Sequence, residues 1–379
     1  MDSISYKITV GGWSVDSADD PKTELLALDV RLGMNSTHDS ARLAVYAPPA
    51  PQPGLLEQVV GAAAGALGLG GEEEESFSVQ VRGNPIKHGD TLTIELAAGD
   101  RSGKVITTEV QSIESSLGQT TIVGSTSKRK IAGVRINQIY ENQSLDQIIK
   151  DLASQAGINT GDIATGSSYS YLVADESRSV LKQIVDLATR DGMDVYFDPD
   201  NKLTLKKFEK SSADHTLYYG IDILDLRMTN TKPPADRVVV YGESPSSNQG
   251  SSTWHWLAKD LSSFRAELGE GVSTFAIEDV ALRTKDAADS LATSKLGALK
   301  DRAARGKLKV MGNPELKLGN AIEIKNAPKP ELNGLFKVTA VRHVLDKRSG
   351  YLTWVDFSGQ GGAAAAGGLM GQLAGALGL

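Results

Sequence analysis

Four features of the 379-residue chain invite a catalytic or ligand-binding reading. Gly99 to Val105, GDRSGKV, sets two glycines and a lysine as a phosphate-cradling loop would. A P-loop needs four residues between its glycines and a Ser or Thr after the lysine. Three residues and Val105 stand here, so the stretch reads as a hairpin turn. Asp198 to Glu209, DPDNKLTLKKFE, places acids at positions 1, 3 and 12 of a calcium loop. Lys202 then takes a ligand position and Leu203 replaces the required glycine, which leaves a turn between two strands. The five histidines, His38, His88, His215, His255 and His343, have neither HxxxH nor HxH spacing. The chain has no cysteine and no G-x-S-x-G elbow, so a Cys nucleophile, a thiolate metal site and a hydrolase serine are not expected. Acid pairs such as Glu267 and Glu270 would serve a glycosidase only across a cleft that spacing alone does not supply. The expectation is a chain that is not an enzyme, with no catalytic residues, no cofactor and no metal.

Composition and periodicity indicate the secondary structure on which these residues sit. The length exceeds the ~250–300 residues at which one core stops growing, so several domains are expected. Apolar residues at 40% and charged ones at 23% describe an ordinary globular chain. The net charge of −7 lacks the cationic excess that stable nucleic-acid binding needs. The opening MDSISYKITVGGW alternates like a strand and has no basic patch before an apolar run, so no secretory signal is read there. Period-2 alternation broken by Gly, Asp and Asn turns predicts antiparallel sheet over Ser3 to Tyr46 and Ser76 to Thr126. SLDQIIKDLASQA predicts a helix with Leu145, Ile148, Ile149, Leu152 and Ala156 on one face, a Ser144/Gln147 capping box and a stop at Gly157. ESRSVLKQIVDLATRDG predicts a second, with Leu181, Ile184, Val185 and Ala188 on one face and a stop at Gly192. Strands return over Asp222 to Gly242 and Lys307 to Phe357, around a third helix from Thr284 to Arg305.

Two internal echoes stand out. AGALGL occurs at Ala64 to Leu69 and again at Ala374 to Leu379. The first copy lies in an 18-residue run, Gly54 to Gly71, that includes Glu57, Gln58 and six glycines, too polar and too short for a bilayer span of about 20 apolar residues. Two readings stay open for these segments: a flexible linker and tail, or elements that pack on a neighbour. Gly83 to Ile94, GNPIKHGDTLTI, resembles Gly312 to Ile324, GNPELKLGNAIEI, with one extra residue in the later copy. Turns reuse Gly, Asn, Asp and Pro, so convergence is one explanation and a duplicated β domain is the other. Trp254 and Trp256 flank His255 beside the polar loop SPSSNQGSS, either as a core anchor or as an exposed contact for a sugar or a partner.

The helix and hairpin SVLKQIVDLATRDGMDVYFDPDNKLTL, the Gly-Asn-Pro strand pair and NGLFKVTAVRHVLDKRSGYLTWVDFSG together resemble the phage late control D family. These are baseplate hub proteins of contractile tails and tail-like injection systems, related to the N-terminal half of type VI secretion spike proteins. The resemblance spans roughly residues 1 to 360, and Gly334 to Thr353 is its most specific stretch. It implies an α+β, β-rich fold: two similar antiparallel β-barrel-like domains with intervening small α/β domains. The expected boundaries are 1–135 for the first ring domain with a Gly/Ala-rich insertion at 50–75, 136–215 for the α/β part, 216–360 for the second ring domain with the inserted helix 284–305, and 361–379 for the tail. It further implies a structural protein: a homotrimer whose pseudo-sixfold ring joins a hexameric inner tube to a trimeric spike and forms part of the lumen. Inner tube protein, a separate spike protein, other baseplate proteins and cargo in the lumen are the implied partners, and assembly in the cytoplasm within a phage tail or injection particle is the implied location. Leu67, Leu69, Leu377, Leu379, Trp254 and Trp256 are the candidate partner or lumen contacts. The alternative is a multidomain carbohydrate- or protein-binding adhesin-type module, for which the tryptophans would be the working residues.

Overall fold

The computed structural model describes residues 3–17, 25–34, 36–46, 78–81, 84–208, 212–242, 265–279, 281–282 and 284–359. The alternating N-terminal segments form β1 (Ile4–Val10), β2 (Trp13–Asp16), β3 (Leu25–Gly33), β4 (Ser40–Tyr46), β5 (Ser78–Val81), β6 (Asn84–Lys87), β7 (Thr91–Ala98), β8 (Arg101–Ser115) and β9 (Gln119–Ser125). Alternate residues turn inward, so Ile8, Val10, Leu28, Val30, Leu43, Leu92, Ile94 and Ile122 build one core.

A short helix α1 (Ser127–Gly133) leads into β10 (Gln138–Ser144), α2 (Leu145–Gln155), β11 (Thr160–Ile163), β12 (Ser168–Ala174), α3 (Val180–Arg190), β13 (Met193–Phe197) and β14 (Leu203–Lys207). The capping box forms as the spacing predicts, with Gln147 Oε1 accepting from the Ser144 N–H at 3.0 Å. Leu145, Ile148, Ile149 and Leu152 of α2 are buried with Ala156 just beyond it. In α3 the buried stripe keeps the predicted face and extends to one side of it. Val180, Gln183, Ile184, Leu187 and Ala188 face inward, while Leu181 and Val185 are only half-buried. Gln183 can be inside because its amide donates to the Asp175 and Arg178 carbonyls.

The third part holds β15 (His215–Tyr218), β16 (Ile223–Asn230), β17 (Arg237–Tyr241), β18 (Arg265–Gly269), β19 (Thr274–Glu278), α4 (Lys285–Ala303), β20 (Ala304–Met311), β21 (Ala321–Lys325), β22 (Gly334–Asp346) and β23 (Gly350–Gly359). Helix α4 stops at Ala303, two residues before the expected end, because Arg305 already pairs with Ser358 on one side and Thr229 on the other. Strands β17 and β18 pack on α4 around a small core of Val238, Val240, Ala266, Leu291 and Leu296. A larger core of Leu308, Val310, Ile322, Ile324, Val338, Val355 and Phe357 lies under β20 to β23.

The fold is β-rich α+β. Among the described residues thirteen strands share one sheet, whose main path runs β16, β20, β23, β22, β3, β4, β9, β8, β7, β1, β2. Strands β21 and β15 branch from β22. Most neighbours are antiparallel, with parallel pairing at β11·β14, β15·β21 and β17·β19. Among the described residues no helix is long and apolar enough to cross a membrane.

Candidate functional site

The sheet contains the same five strands twice, in the same chain order and register. In the first copy β3, β4, β7, β8 and β9 follow one another. In the second, β16, β20, β21, β22 and β23 do. On β8 and β9, Glu109 pairs with Ser125 and Val110 with Gly124, then Gln111 is skipped and Ser112 pairs with Val123. On β22 and β23, Lys337 pairs with Ser358 and Val338 with Phe357, then Thr339 is skipped and Ala340 pairs with Asp356. A second bulge repeats as well. Leu26 is skipped between β3 and β4, and Leu224 between β16 and β20. Two coincident bulges are specific, because a bulge fixes the twist and the pairing of everything beyond it.

The Gly-Asn-Pro echo ends in the loops that seed these hairpins. Lys87 N–H donates to Asp90 Oδ2 at 2.8 Å, and Lys317 N–H to Asn320 Oδ1 at 2.7 Å. Gly89 and Gly319 take φ of +87° and +77°, a region that glycine enters without a Cβ penalty. From there each loop docks on the long strand. Gly89 N–H donates to Val110 O at 2.9 Å, and Gly319 N–H to Val338 O at 3.1 Å. Convergence of turn residues alone would not reproduce this docking. The Gly-Asn-Pro residues themselves differ: Asn84 and Pro85 lie in β6, paired to β5, whereas Asn313 and Pro314 form a turn.

The copies are joined edge to edge. β22 carries β21 along its first part, and from Ala340 to Asp346 it pairs with Gly33 to Ala27 of β3. Leu28, Val30 and Val341 are buried at this junction. Arg342 clamps its outer surface, donating through Nε and Nη2 to Asp29 at 2.9 and 2.7 Å, while Arg31 reaches the same carboxylate at 2.8 Å. Burial would raise the Asp29 carboxyl, but hydrogen bonds and charge from Arg342 and Arg31 outweigh it and hold it below the ordinary carboxylate value. The clamp therefore stabilises the fold above the unfolded aspartate range and is lost as pH falls through the lower, folded value.

Inside the junction His343 is buried, with Nδ1 at 2.9 Å from the Tyr351 hydroxyl and 3.2 Å from Thr353 Oγ1. Burial brings its pKa down to about 3, so it is neutral in the folded chain. In acid the unfolded histidine binds a proton that the folded one refuses. Stability should drop with acidification below pH 6 by up to about 1.4 kcal/mol per pH unit from this residue. His343→Asn should flatten that slope in urea unfolding at pH 6, 5 and 4; parallel slopes for the two chains would refute it.

The residues considered for catalysis are scattered through the scaffold. Gly99 and Asp100 make the β7–β8 turn. In the β13–β14 turn, Asp198 Oδ1 accepts from the Asp200 and Lys202 N–H groups, both at 2.9 Å. Glu267 pairs with Arg237 and Arg265 on the β17–β18 surface. His38 lies before β4, His88 in the β6–β7 loop, His215 on β15 and His343 in the junction, and among the described residues no three His, Asp or Glu side chains gather as metal ligands. Leu67, Leu69, Leu377, Leu379, Trp254 and Trp256 lie outside the described residues, as do the Gly/Ala segments and His255. Two features that composition and periodicity did not single out are open stretches of strand edge in the sheet. Among the described strands, β8 past Val110 is paired on one side only, and β16 pairs with β20 alone.

No protein-family profile matches the chain, and no curated protein matches it in sequence. Solved structures do match. The 43 kDa tail protein of prophage MuSo2 from Shewanella oneidensis is 12% identical, with a TM-score of 0.65 over 94% of this chain and 98% of that one. A tail protein from Neisseria meningitidis is 11% identical, with a TM-score of 0.64 over 94% and 96%. An E. coli component of the type VI secretion system, described as similar to the bacteriophage T4 tail proteins gp27 and gp5, is 11% identical, with a TM-score of 0.53 over 93% and 76%. Along nearly its whole described length, the chain has the fold of these tail proteins.

Proposed function

We propose that the chain is a structural subunit of the baseplate hub of a contractile tail-like particle. It is a homotrimer whose six sheet repeats form a pseudo-sixfold ring, joining a hexameric inner tube to a trimeric spike. Its work is symmetry matching and conduit formation, without catalysis or a cofactor, and other baseplate proteins and any cargo meet it through its surfaces. The observation that carries this reading is the duplication in register. A chain holding two equivalent sheet units offers three chains six nearly equivalent positions, and closure removes the exposed edges that would otherwise template aggregation. The fold shared with a prophage tail protein, a second tail protein and a type VI secretion component supports the setting.

The test is the mass in solution of the purified chain, alone and mixed with candidate inner tube and spike proteins, by multi-angle light scattering. The expected mass is three times 40.2 kDa alone, or that mass plus the bound partner's in the mixtures. A single-chain mass under all three conditions would refute the proposal.

A further inference from the structure

The junction inside the chain is a template for the contact between chains. We propose that the β16 edge of one copy pairs antiparallel with the open part of β8 in a second copy, in the register of β3 on β22. This rests on the trimeric reading above and gives it a specific interface. The repeat fixes the equivalences. β16 stands where β3 stands and β8 where β22 stands, so Ala340·Gly33, Val341·Leu32, Arg342·Arg31 and His343·Val30 become Ser112·Thr231, Ile113·Asn230, Glu114·Thr229 and Ser115·Met228 across the chains.

Burial supports a missing neighbour on both edges. Leu28, Val30 and Val341 are at most 2% exposed, yet their counterparts Leu226, Met228 and Ile113 are only half-buried. The bulge residue Leu26 is half-buried beside β22, and its counterpart Leu224 is 52% exposed. Leu117, at the tip of the β8–β9 hairpin, is 92% exposed and would come to Leu226. Each apolar group is uncovered where the template supplies a strand to cover it.

Charge supplies the discrimination. The clamp in the template joins Arg342 of β22 to Asp29 of β3 along a diagonal, two residues from direct opposition. The equivalent positions are Glu114 on β8 and Arg227 on β16, so the ion pair is conserved with its polarity reversed. Both side chains are exposed, with Glu114 3.9 Å from Arg42 and Arg227 3.3 Å from Asp225. Diagonal neighbours across an antiparallel pair lie within reach of long side chains. The reversal also penalises wrong pairings. A β8 edge presented to another copy's β3 would set Glu114 against Asp29, and a β22 edge on another copy's β16 would set Arg342 against Arg227. Strand hydrogen bonds and the apolar residues hold the contact, and the charges select the partner edge. With the template pairing used inside each chain and its charge-reversed form between chains, three chains of eight strands each, β16 through β8, close one continuous barrel.

The experiment uses the full chain and reads the monomer–trimer equilibrium by light scattering over a dilution series. Glu114→Arg and Arg227→Glu should each raise the midpoint concentration by about tenfold or more, since a like-charge contact replaces an attraction at every interface, and the double variant should return to within about threefold of the native chain. A second readout needs no energetic assumption. The chain has no cysteine, so the pairs Glu114→Cys with Thr229→Cys and Ile113→Cys with Asn230→Cys report directly on register. Adjacent opposite pairs alternate between wide and close, so one of the two should give a disulfide-linked trimer on oxidation. A native trimer that shows neither rescue nor cross-link would overturn this pairing and leave the trimer standing. A chain that is monomeric with every partner would remove the hub reading itself.

Discussion

Lys128→Ala should lower the unfolding free energy by about 3–5 kcal/mol, the loss expected when one member of a buried ion pair is removed and its partner stays behind. Lys128 is 1% exposed at the start of α1, where the chain leaves the first sheet repeat for the α/β part. Its ammonium donates to Gly33 O and lies 3.3 Å from Ser36 Oγ and 3.5 Å from Asp39 Oδ1. Asp39, itself fully buried, accepts from the Gly33 N–H at 2.9 Å and the Ser36 hydroxyl at 3.1 Å, while its Oδ2 has no hydrogen-bond partner. Burial is the larger influence on the ammonium and lowers its pKa, with the Asp39 charge opposing. Take the lysine away and a desolvated carboxylate remains with nothing to neutralise it. Urea unfolding checks this. The double variant Asp39→Asn with Lys128→Met, which removes both charges and keeps most of the volume, should recover a large part of the loss. A single variant within about 0.5 kcal/mol of the native chain would contradict the account, since that is the ordinary range for a surface substitution.

Gly306→Ala should cost about 1–3 kcal/mol by overpacking, outweighing the ~0.5–1 kcal/mol that alanine gains over glycine inside a strand. Gly306 lies on β20 between β16 and β23, and a Cβ there would come within 2.2 Å of the Phe357 ring and 2.6 Å of the Arg227 backbone carbonyl. The ring can shift; the carbonyl belongs to β16 and moves only with the strand. Gly306→Ala should therefore also loosen β16, seen as faster amide exchange from Asp225 to Asn230. Protection there equal to the native chain's would refute the steric reading. The equivalent pair in the first repeat has the sizes exchanged, with Ala41 opposite Gly124 where the second has Gly306 opposite Phe357.

That exchange shows why the duplication could be glimpsed in the sequence but not followed. The turn chemistry recurs because the docking of Gly89 and Gly319 demands it, and the echo from Gly83 and from Gly312 is its trace. Elsewhere the repeats conserve pairing and not side chains. Asp29 answers to Arg227, Arg342 to Glu114 and Gly124 to Phe357, and backbone hydrogen bonds accept all of them. The second repeat is also interrupted between β16 and β20 by β17, β18, β19 and α4, where the first has only a short loop. Local signals served well where the cause was local. The α2 capping box and the Asp198 turn are set by residues within a few positions of one another. The α3 stripe is wider than the apolar pattern shows, because Gln183 is polar by type and buried by virtue of carbonyls that only the fold brings to it. The join between β22 and β3 crosses some three hundred residues, and neither strand's own pattern names its neighbour.

In the trimer we propose, three chains present six nearly equivalent sheet units around one axis. The most direct measurement is electron-microscopic averaging of the purified oligomer viewed end-on, without imposed symmetry. The averages should show a closed ring with a central opening and six similar lobes, alternating in detail because only every second repeat carries the insertion between β16 and β20. A compact single chain, or an oligomer whose lobes do not surround an opening, would contradict it.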